Sequence, residues 1–217
     1  MAVSPLTKVP IPTLERLATY LRLLSELESR GVTTVSSHDV ERYTGIGAPQ
    51  FRKDLSYFGE FGRPGVGYNV VTLQRTIAGI LKIDRTQPVI LIGAGNLGRA
   101  LVGYPGLADN NLDICGVFDN SVAKIGTRLW GLEIRDVRNL AEANRTLGAR
   151  IAVIAVPAAA AQGVADACVG AGIEVILNFS PTHIRVPGAT HIRHVSFLQE
   201  LAVLAYHLPD GTETKGS

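Results

Sequence analysis

Val89-Ile90-Leu91-Ile92-Gly93-Ala94-Gly95-Asn96-Leu97-Gly98 is the stretch on which the reading of this 217-residue chain turns. An apolar run suited to a buried strand leads directly into G-x-G-x-x-G, and the helix-like Asn96-Leu97-Gly98-Arg99-Ala100-Leu101 follows. A second apolar run, Ile114-Cys115-Gly116-Val117-Phe118, ends in Asp119, twenty-one residues past Gly98. Strand, glycine turn, helix, strand and acid in that order form the βαβ dinucleotide fingerprint. Gly93 permits the tight turn, Gly95 lets backbone N–H groups approach a pyrophosphate, and Gly98 lets helix and strand pack closely. Ala94, Asn96 and Leu97 complete the loop, and the helix N-terminus brings partial positive charge to the phosphates. Asp119 is expected to accept hydrogen bonds from the adenosine ribose hydroxyls and to repel a 2′-phosphate, favouring NAD over NADP. A tight turn that binds nothing is the competing reading, and the surrounding strand, helix and acid weigh against it.

Downstream, strand-like Ile151–Val156, helix-like Ala158–Gly170 and strand-like Glu174–Phe179 continue the alternation. The expectation is a doubly wound, mostly parallel sheet. A final helix, Ser196–Leu208, carries Phe197, Leu198, Leu201, Leu204, Ala205 and Leu208 on one broad apolar face. Its sequence is compatible with packing on its own sheet or with exchange onto a partner chain. Residues 209–217 are short and polar, and a disordered tail is expected there.

Upstream, residues 13–30 show helical periodicity, with Leu14, Leu17, Leu21, Leu24 and Leu27 as an apolar stripe and Gly31 as the stop. Ser37, read as an N-cap with acidic residues in the first turn and as a candidate DNA contact, opens a short helix to Thr44. After the Gly45-Ile46-Gly47 break, Pro49 opens a third helix, Gln50–Phe58. A long helix and then two short ones joined by a glycine turn make a helix-turn-helix. Phe51, Leu55 and Phe58 fall at i, i+4 and i+7 and are expected to pack inward. Gln50, Arg52 and Lys53 lie off that stripe, near the end that enters a major groove, where Gln pairs with adenine and Arg or Lys with guanine. Ser56 and Tyr57 are candidate phosphate contacts. Gly59–Val70 holds four glycines in nine positions between strand-like residues, which suits a β-hairpin wing carrying Arg63 at its tip. Leu73–Ile83 reads as a helix linking two domains, with Asp84–Pro88 as the boundary.

Hydrophobic residues make up 46% of the chain, and no apolar run approaches eighteen residues, so a membrane span is not expected. Met1–Pro5 has no secretory signature, and a cytoplasmic location is expected. Cys115 and Cys168 lie in apolar segments without metal-ligand spacing and read as reduced, structural thiols. The net charge is +2. The first 83 residues hold ten Lys/Arg against seven Asp/Glu, an asymmetry too mild to carry a nucleic-acid reading alone. His38, His183, His191, His194 and His207 form no ligand pattern, so no metal is expected. No nucleophile elbow occurs, and Tyr-x-x-x-Lys is absent because the position four after Tyr104 is Ala108. No catalytic residues are therefore assigned.

Phe51-Arg52-Lys53-Asp54-Leu55-Ser56-Tyr57-Phe58-Gly59, Gly65-Val66-Gly67-Tyr68, Gly93–Gly98, Tyr104-Pro105-Gly106 and Leu177-Asn178-Phe179-Ser180-Pro181 together resemble the redox-sensing transcriptional repressor family Rex, over nearly the whole chain. The resemblance implies an α/β homodimer. Each chain would have a winged helix-turn-helix DNA-binding domain (1–84), a Rossmann NAD(H)-binding domain (85–195) and a C-terminal helix (196–208), which it favours as swapped. It implies binding to palindromic duplex DNA until NADH, with NAD+ competing, displaces it. It places Tyr104, Val156, Pro157, Asn178 and Phe179 near the nicotinamide, with Phe197 brought there by the partner's helix. Arg22 would communicate between the domains. Two departures stand out. The family usually has an acidic residue where this chain has Ser196, so a charged link from there to Arg22 cannot form. At the wing tip, Arg63-Pro64 stands where a second basic residue is common.

An NAD-dependent dehydrogenase or a CoA-binding ligase subunit would share the glycine turn. Neither has a use for the Phe51–Gly59 helix, and no catalytic base here pairs with an evident partner. The pocket lined by Tyr104, Phe179 and the partner's Phe197 shows no acid in those segments. Burying the cationic oxidised ring there is costly, so the neutral reduced ring is expected to be preferred.

Overall fold

In the computed structural model, which describes residues 9–62 and 65–208, the chain divides into two compact units meeting at Thr86 and Gln87. In the first unit, α1 (Ile11–Ser29) begins after Pro10 and ends where Gly31 takes a φ of +76°. Its buried face is Leu17, Tyr20, Leu21, Leu23, Leu24 and Leu27. Leu14, expected on that face, is 36% exposed; Thr13 takes the inward position instead, its hydroxyl turned to a buried carboxylate. β1 (Thr34–Val35) leads to α2 (Ser37–Thr44), whose N-cap is Ser36 rather than Ser37. The reason is a capping box: Ser36 Oγ accepts from Asp39 N–H at 3.1 Å, and the Asp39 carboxylate accepts from Ser36 N–H at 2.9 Å. Gly45, in the left-handed region, ends α2, and α3 (Ala48–Ser56) starts after Gly47 with Pro49 in its first turn.

β2 (Tyr68–Asn69) pairs antiparallel with β1. Gly59, Gly62, Gly65 and Gly67 have positive φ, which suits the tight turns of this segment. Arg63 and Pro64, the expected tip of the wing, lie outside the described residues. α4 (Val70–Ile80) starts three residues earlier than periodicity suggests, because Asn69 caps it by accepting from Thr72 N–H at 2.9 Å. It is a packed member of this unit rather than a free connector: Val70, Leu73 and Ile77 join Leu17, Leu24, Phe51 and Leu55 in one core.

The second unit runs β3 (Gln87–Ile92), α5 (Asn96–Val102), α6 (Pro105–Ala108), β4 (Leu112–Asp119), β5 (Arg128–Leu129), β6 (Leu132–Asp136), α7 (Leu140–Leu147), β7 (Ile151–Ile154), α8 (Ala158–Gly170), β8 (Val175–Asn178), β9 (His191–His194) and α9 (Phe197–Ala205). The sheet order is β5-β6-β4-β3-β7-β8-β9, parallel except for β5. The buried runs of β3 and β7 explain their central place, since a strand covered on both faces has no polar alternation. One face packs Leu140, Ala161, Ala165 and Cys168 from α7 and α8; the other packs Leu101 and Val102 of α5. The β5–β6 hairpin and α7 were not anticipated from sequence.

α9 begins one residue after Ser196, and none of its residues is buried. Packing on its own sheet, one of the two arrangements left open above, is therefore not what the fold adopts. Residues 209–217, expected as a disordered tail, lie outside the described residues.

Candidate functional site

The order of the sheet reverses between β3 and β7, and the loops at their C-terminal ends open there, where open α/β sheets bind ligands. A cavity of about 320 Å³ lies at this point, lined by Gly93, Gly95, Asp119, Asn120, Ser121, Lys124, Val156 and Pro157 among others. Gly93 has a φ of +105°, and a Cβ there would sit 2.3 Å from the Ala155 carbonyl oxygen. A Cβ on Gly98 would lie 1.9 Å from the Gly93 carbonyl oxygen, so α5 packs on the turn only with glycine at that position. A Cβ on Gly95 meets nothing within 4 Å. Gly95 is thus needed neither for packing nor for φ; its missing side chain keeps open space over the backbone of the turn, as a pyrophosphate cradle requires.

Asp119 closes β4 and is almost wholly buried. Its Oδ2 accepts from Ala94 N–H at 2.8 Å and from the Lys124 ammonium at 3.0 Å, and its Oδ1 accepts from Ser121 N–H at 2.9 Å. Burial raises the carboxyl, but these donors outweigh it and hold Asp119 below the usual carboxylate range. Lys124, Asn120 and Ser121 were not singled out from sequence. A lysine five residues past the fingerprint acid, in a short loop, was the available signal.

The residues expected near the nicotinamide fall into two groups. Val156 and Pro157 line the cavity with the glycine turn. Tyr104, Asn178, Phe179 and Phe197 do not. Tyr104 is the N-cap of α6 and is 60% exposed. Phe179 stacks with Phe197 of its own chain, ring centroids 6.0 Å apart. Asn178 is fully buried and internally committed: its Nδ2 donates to Thr182 O at 2.9 Å and meets His194 Nδ1 at 3.0 Å, while Oδ1 accepts from Ser180 N–H. Burial, then the neighbouring His183, lowers the His194 pKa. The hydroxyl of Ser180 is buried with no hydrogen-bond partner among the described residues. Ser196 is the N-cap of α9, accepting from Gln199 N–H at 3.2 Å. Arg22 lies on the exposed side of α1.

In the first unit α3 presents Arg52, Lys53 and Ser56 to solvent, and Tyr57, which follows it, is also exposed. Arg52 Nη1 donates to Ser37 Oγ at 2.8 Å, joining two candidate DNA contacts across the helix-turn-helix. Ser56 Oγ donates to the Lys53 carbonyl. Gln50, expected to be turned outward, is half-buried, and its Nε2 donates to Asp54 Oδ1 at 2.8 Å. Asp54 was missed. It is fully buried and accepts from Thr13, Arg16, Tyr20 and Gln50, fastening α3 to α1. Its signal was an acid one residue before Leu55 and three after Phe51, on the inward face of the helix. Burial raises its pKa, and the hydrogen bonds from Arg16, Tyr20 and Gln50 more than offset that.

A helix-turn-helix unit followed by a Rossmann unit with an open glycine cradle defines a DNA-binding regulator that carries a nucleotide-binding module. Residues 84–182 match the "CoA binding domain" family and residues 8–56 the family "Putative DNA-binding protein N-terminus". The redox-sensing transcriptional repressor Rex of Desulforamulus reducens is 43% identical over 93% of this chain and 96% of its own. The Rex protein of Pelotomaculum thermopropionicum is 44% identical over 93% and 94%. Among solved structures, RSP in complex with β-NAD+ and operator DNA is 34% identical with a TM-score of 0.88, covering 92% of each chain. RSP with β-NADH is 32% identical with a TM-score of 0.83, over 92% of this chain and 94% of that one. The chain belongs to the Rex family of redox-sensing transcriptional repressors. No helix among the described residues is long and apolar enough to cross a membrane.

Proposed function

We propose that this chain represses transcription as a homodimer on a palindromic operator and is released when NADH occupies the Rossmann unit. The observation that carries the cofactor half is the convergence of Gly93, Gly95, Asp119, Val156 and Pro157 on one cavity at the reversal of strand order. The glycine turn holds the pyrophosphate, Asp119 takes the ribose, and the pocket beyond Pro157, with Tyr104, Phe179 and the partner's Phe197, takes the nicotinamide end. The bound dinucleotide supplies a ring whose charge depends on its redox state. The aromatic residues exclude water from it, and an apolar surround favours the neutral, reduced form.

The thiols are poor candidates for the redox sensor. Burial pushes Cys168 up to about 12, and burial, then Asp113, raises Cys115, so both stay protonated and unreactive at neutral pH.

On the DNA side, Arg52, Lys53 and the Ser37 hydroxyl form the contact surface, with Ser56 and Tyr57 toward phosphates and Arg63 from the wing. Gln50 contributes through Asp54, holding the helix, rather than through base pairing. The dimer reading is supported by α9: Phe197, Leu198, Leu201 and Leu204 are each more than 60% exposed, an apolar face that calls for a cover. A second copy exchanging this helix supplies one. Arg22, Tyr104 and Ser196 are the switch positions, with Ser196 setting the start of α9 by its cap rather than by charge. NADH need bind the released state better than the DNA-bound state by only ~1–3 kcal/mol to shift operator affinity ~5–150-fold.

A band-shift titration of palindromic duplex at constant salt tests this reading: NADH should release the DNA, NAD+ should do so less well, and neither should be consumed. Addition of CoA should not compete, although one matching family carries that name.

A further inference from the structure

A carboxylate has about four acceptor positions, and Asp119 has used three of them, on Ala94, Lys124 and Ser121. One position on Oδ1 remains, enough for a single ribose hydroxyl. A second hydroxyl contact has to share Oδ2 with the Lys124 ammonium. Lys124 lines the same cavity, and its side chain is 41% exposed, so it is anchored at one end of its reach and free to turn. A hydroxyl bonded to Oδ2 lies within about 6 Å of the ammonium, two hydrogen-bond lengths, and a phosphate ester on that hydroxyl extends into direct contact.

We infer that Lys124 is a specificity-determining residue of the dinucleotide site, a latent ligand for a 2′-phosphate that Asp119 holds neutralised. The inference rests on the NAD(H) reading above. Asp119 does not need Lys124 to stay ionised, because the Ala94 and Ser121 N–H groups already favour its charge. The lysine's effect is on the cavity: it cancels part of the repulsion that a lone carboxylate would exert on a 2′-phosphate. Discrimination against NADP(H) is then the outcome of two opposed charges 3.0 Å apart. Removing the negative one leaves a cation facing the ribose.

The test is titration calorimetry of NADH and NADPH into the full-length protein and four variants: Asp119→Asn, Asp119→Ser, Lys124→Met and Asp119→Asn/Lys124→Met. Wild type should bind NADH more tightly than NADPH. Asp119→Asn and Asp119→Ser should each bind NADPH at least tenfold more tightly than wild type, and Lys124→Met added to Asp119→Asn should abolish that gain. Lys124→Met alone should weaken NADPH further, a readout that stands even if both Asp119 variants fail to fold. An NADPH gain that survives loss of Lys124, no gain in a folded Asp119 variant, or unchanged NADPH binding in Lys124→Met each overturns the inference. Wild type that binds no NADH overturns the cofactor reading beneath it, a distinguishable result.

Discussion

Arg16 grips both carboxylate oxygens of Asp54, Nε to Oδ2 at 2.6 Å and Nη2 to Oδ1 at 2.7 Å, and so joins α1 to α3, the second helix of the helix-turn-helix. Asp54 is fully buried, with Tyr20 OH as a further donor at 2.9 Å. A buried carboxylate survives only with such partners, and taking one member away strands the others.

Asp54→Ala should therefore destabilise the N-terminal unit by about 3–5 kcal/mol in urea denaturation, because Arg16 and Tyr20 lose their shared acceptor. The pH dependence has a definite sign. The folded pKa of Asp54 lies below the unfolded one, so its contribution is fully present above about pH 4 and is lost as pH falls through the folded value. Wild type should lose stability on acidification below about pH 4. Asp54→Asn, less stable at neutral pH, should lose less over the same range; parallel curves would show that Asp54 does not titrate in this way.

Gly95 and Gly98 separate the cradle from the packing. Gly95→Ala meets open space at an ordinary negative φ, so thermal unfolding should change by no more than about 1 kcal/mol while NADH binding is lost. Gly98→Ala drives a methyl group into the Gly93 carbonyl and should cost about 3 kcal/mol or more. Full NADH affinity in folded Gly95→Ala would remove the pyrophosphate from this turn.

Lys53→Ala should weaken operator binding by about 1–3 kcal/mol and relax the preference for guanine at one position, the mark of a base-edge contact; equal loss across all sequences in a band-shift titration would make it a phosphate contact instead. Gln50→Ala should leave base preference intact, since its amide is held by Asp54. Altered preference at an adenine position would return Gln50 to the groove.

Phe197→Ala should raise the NADH concentration needed to release DNA, because the proposed nicotinamide pocket loses the aromatic ring that the partner's helix brings to it. An unchanged midpoint in a band-shift titration would exclude it from the cofactor pocket.

Much of the fold was legible because it rests on local rules. The apolar run before Gly93 reads as a strand leading into the turn, which it is, and Ala158–Gly170 reads as a helix with the bounds the structure has. Local signals also misled where a neighbour competes. Ser36, not Ser37, caps α2 because only it stands three residues before Asp39. Leu14 yields to Thr13 because the inward position faces a buried carboxylate. At the site, the glycines and Asp119 follow from spacing. Lys124 and the commitment of Asn178 depend on which side chains meet across loops, which no periodicity encodes.

The most direct measurement is the dissociation constant of the purified protein for its palindromic operator, at fixed salt, with and without saturating NADH. We expect NADH to weaken binding by at least fivefold and NAD+ to do so less. Equal constants with and without NADH would contradict the claim that a reduced dinucleotide in the Rossmann unit governs the grip on DNA.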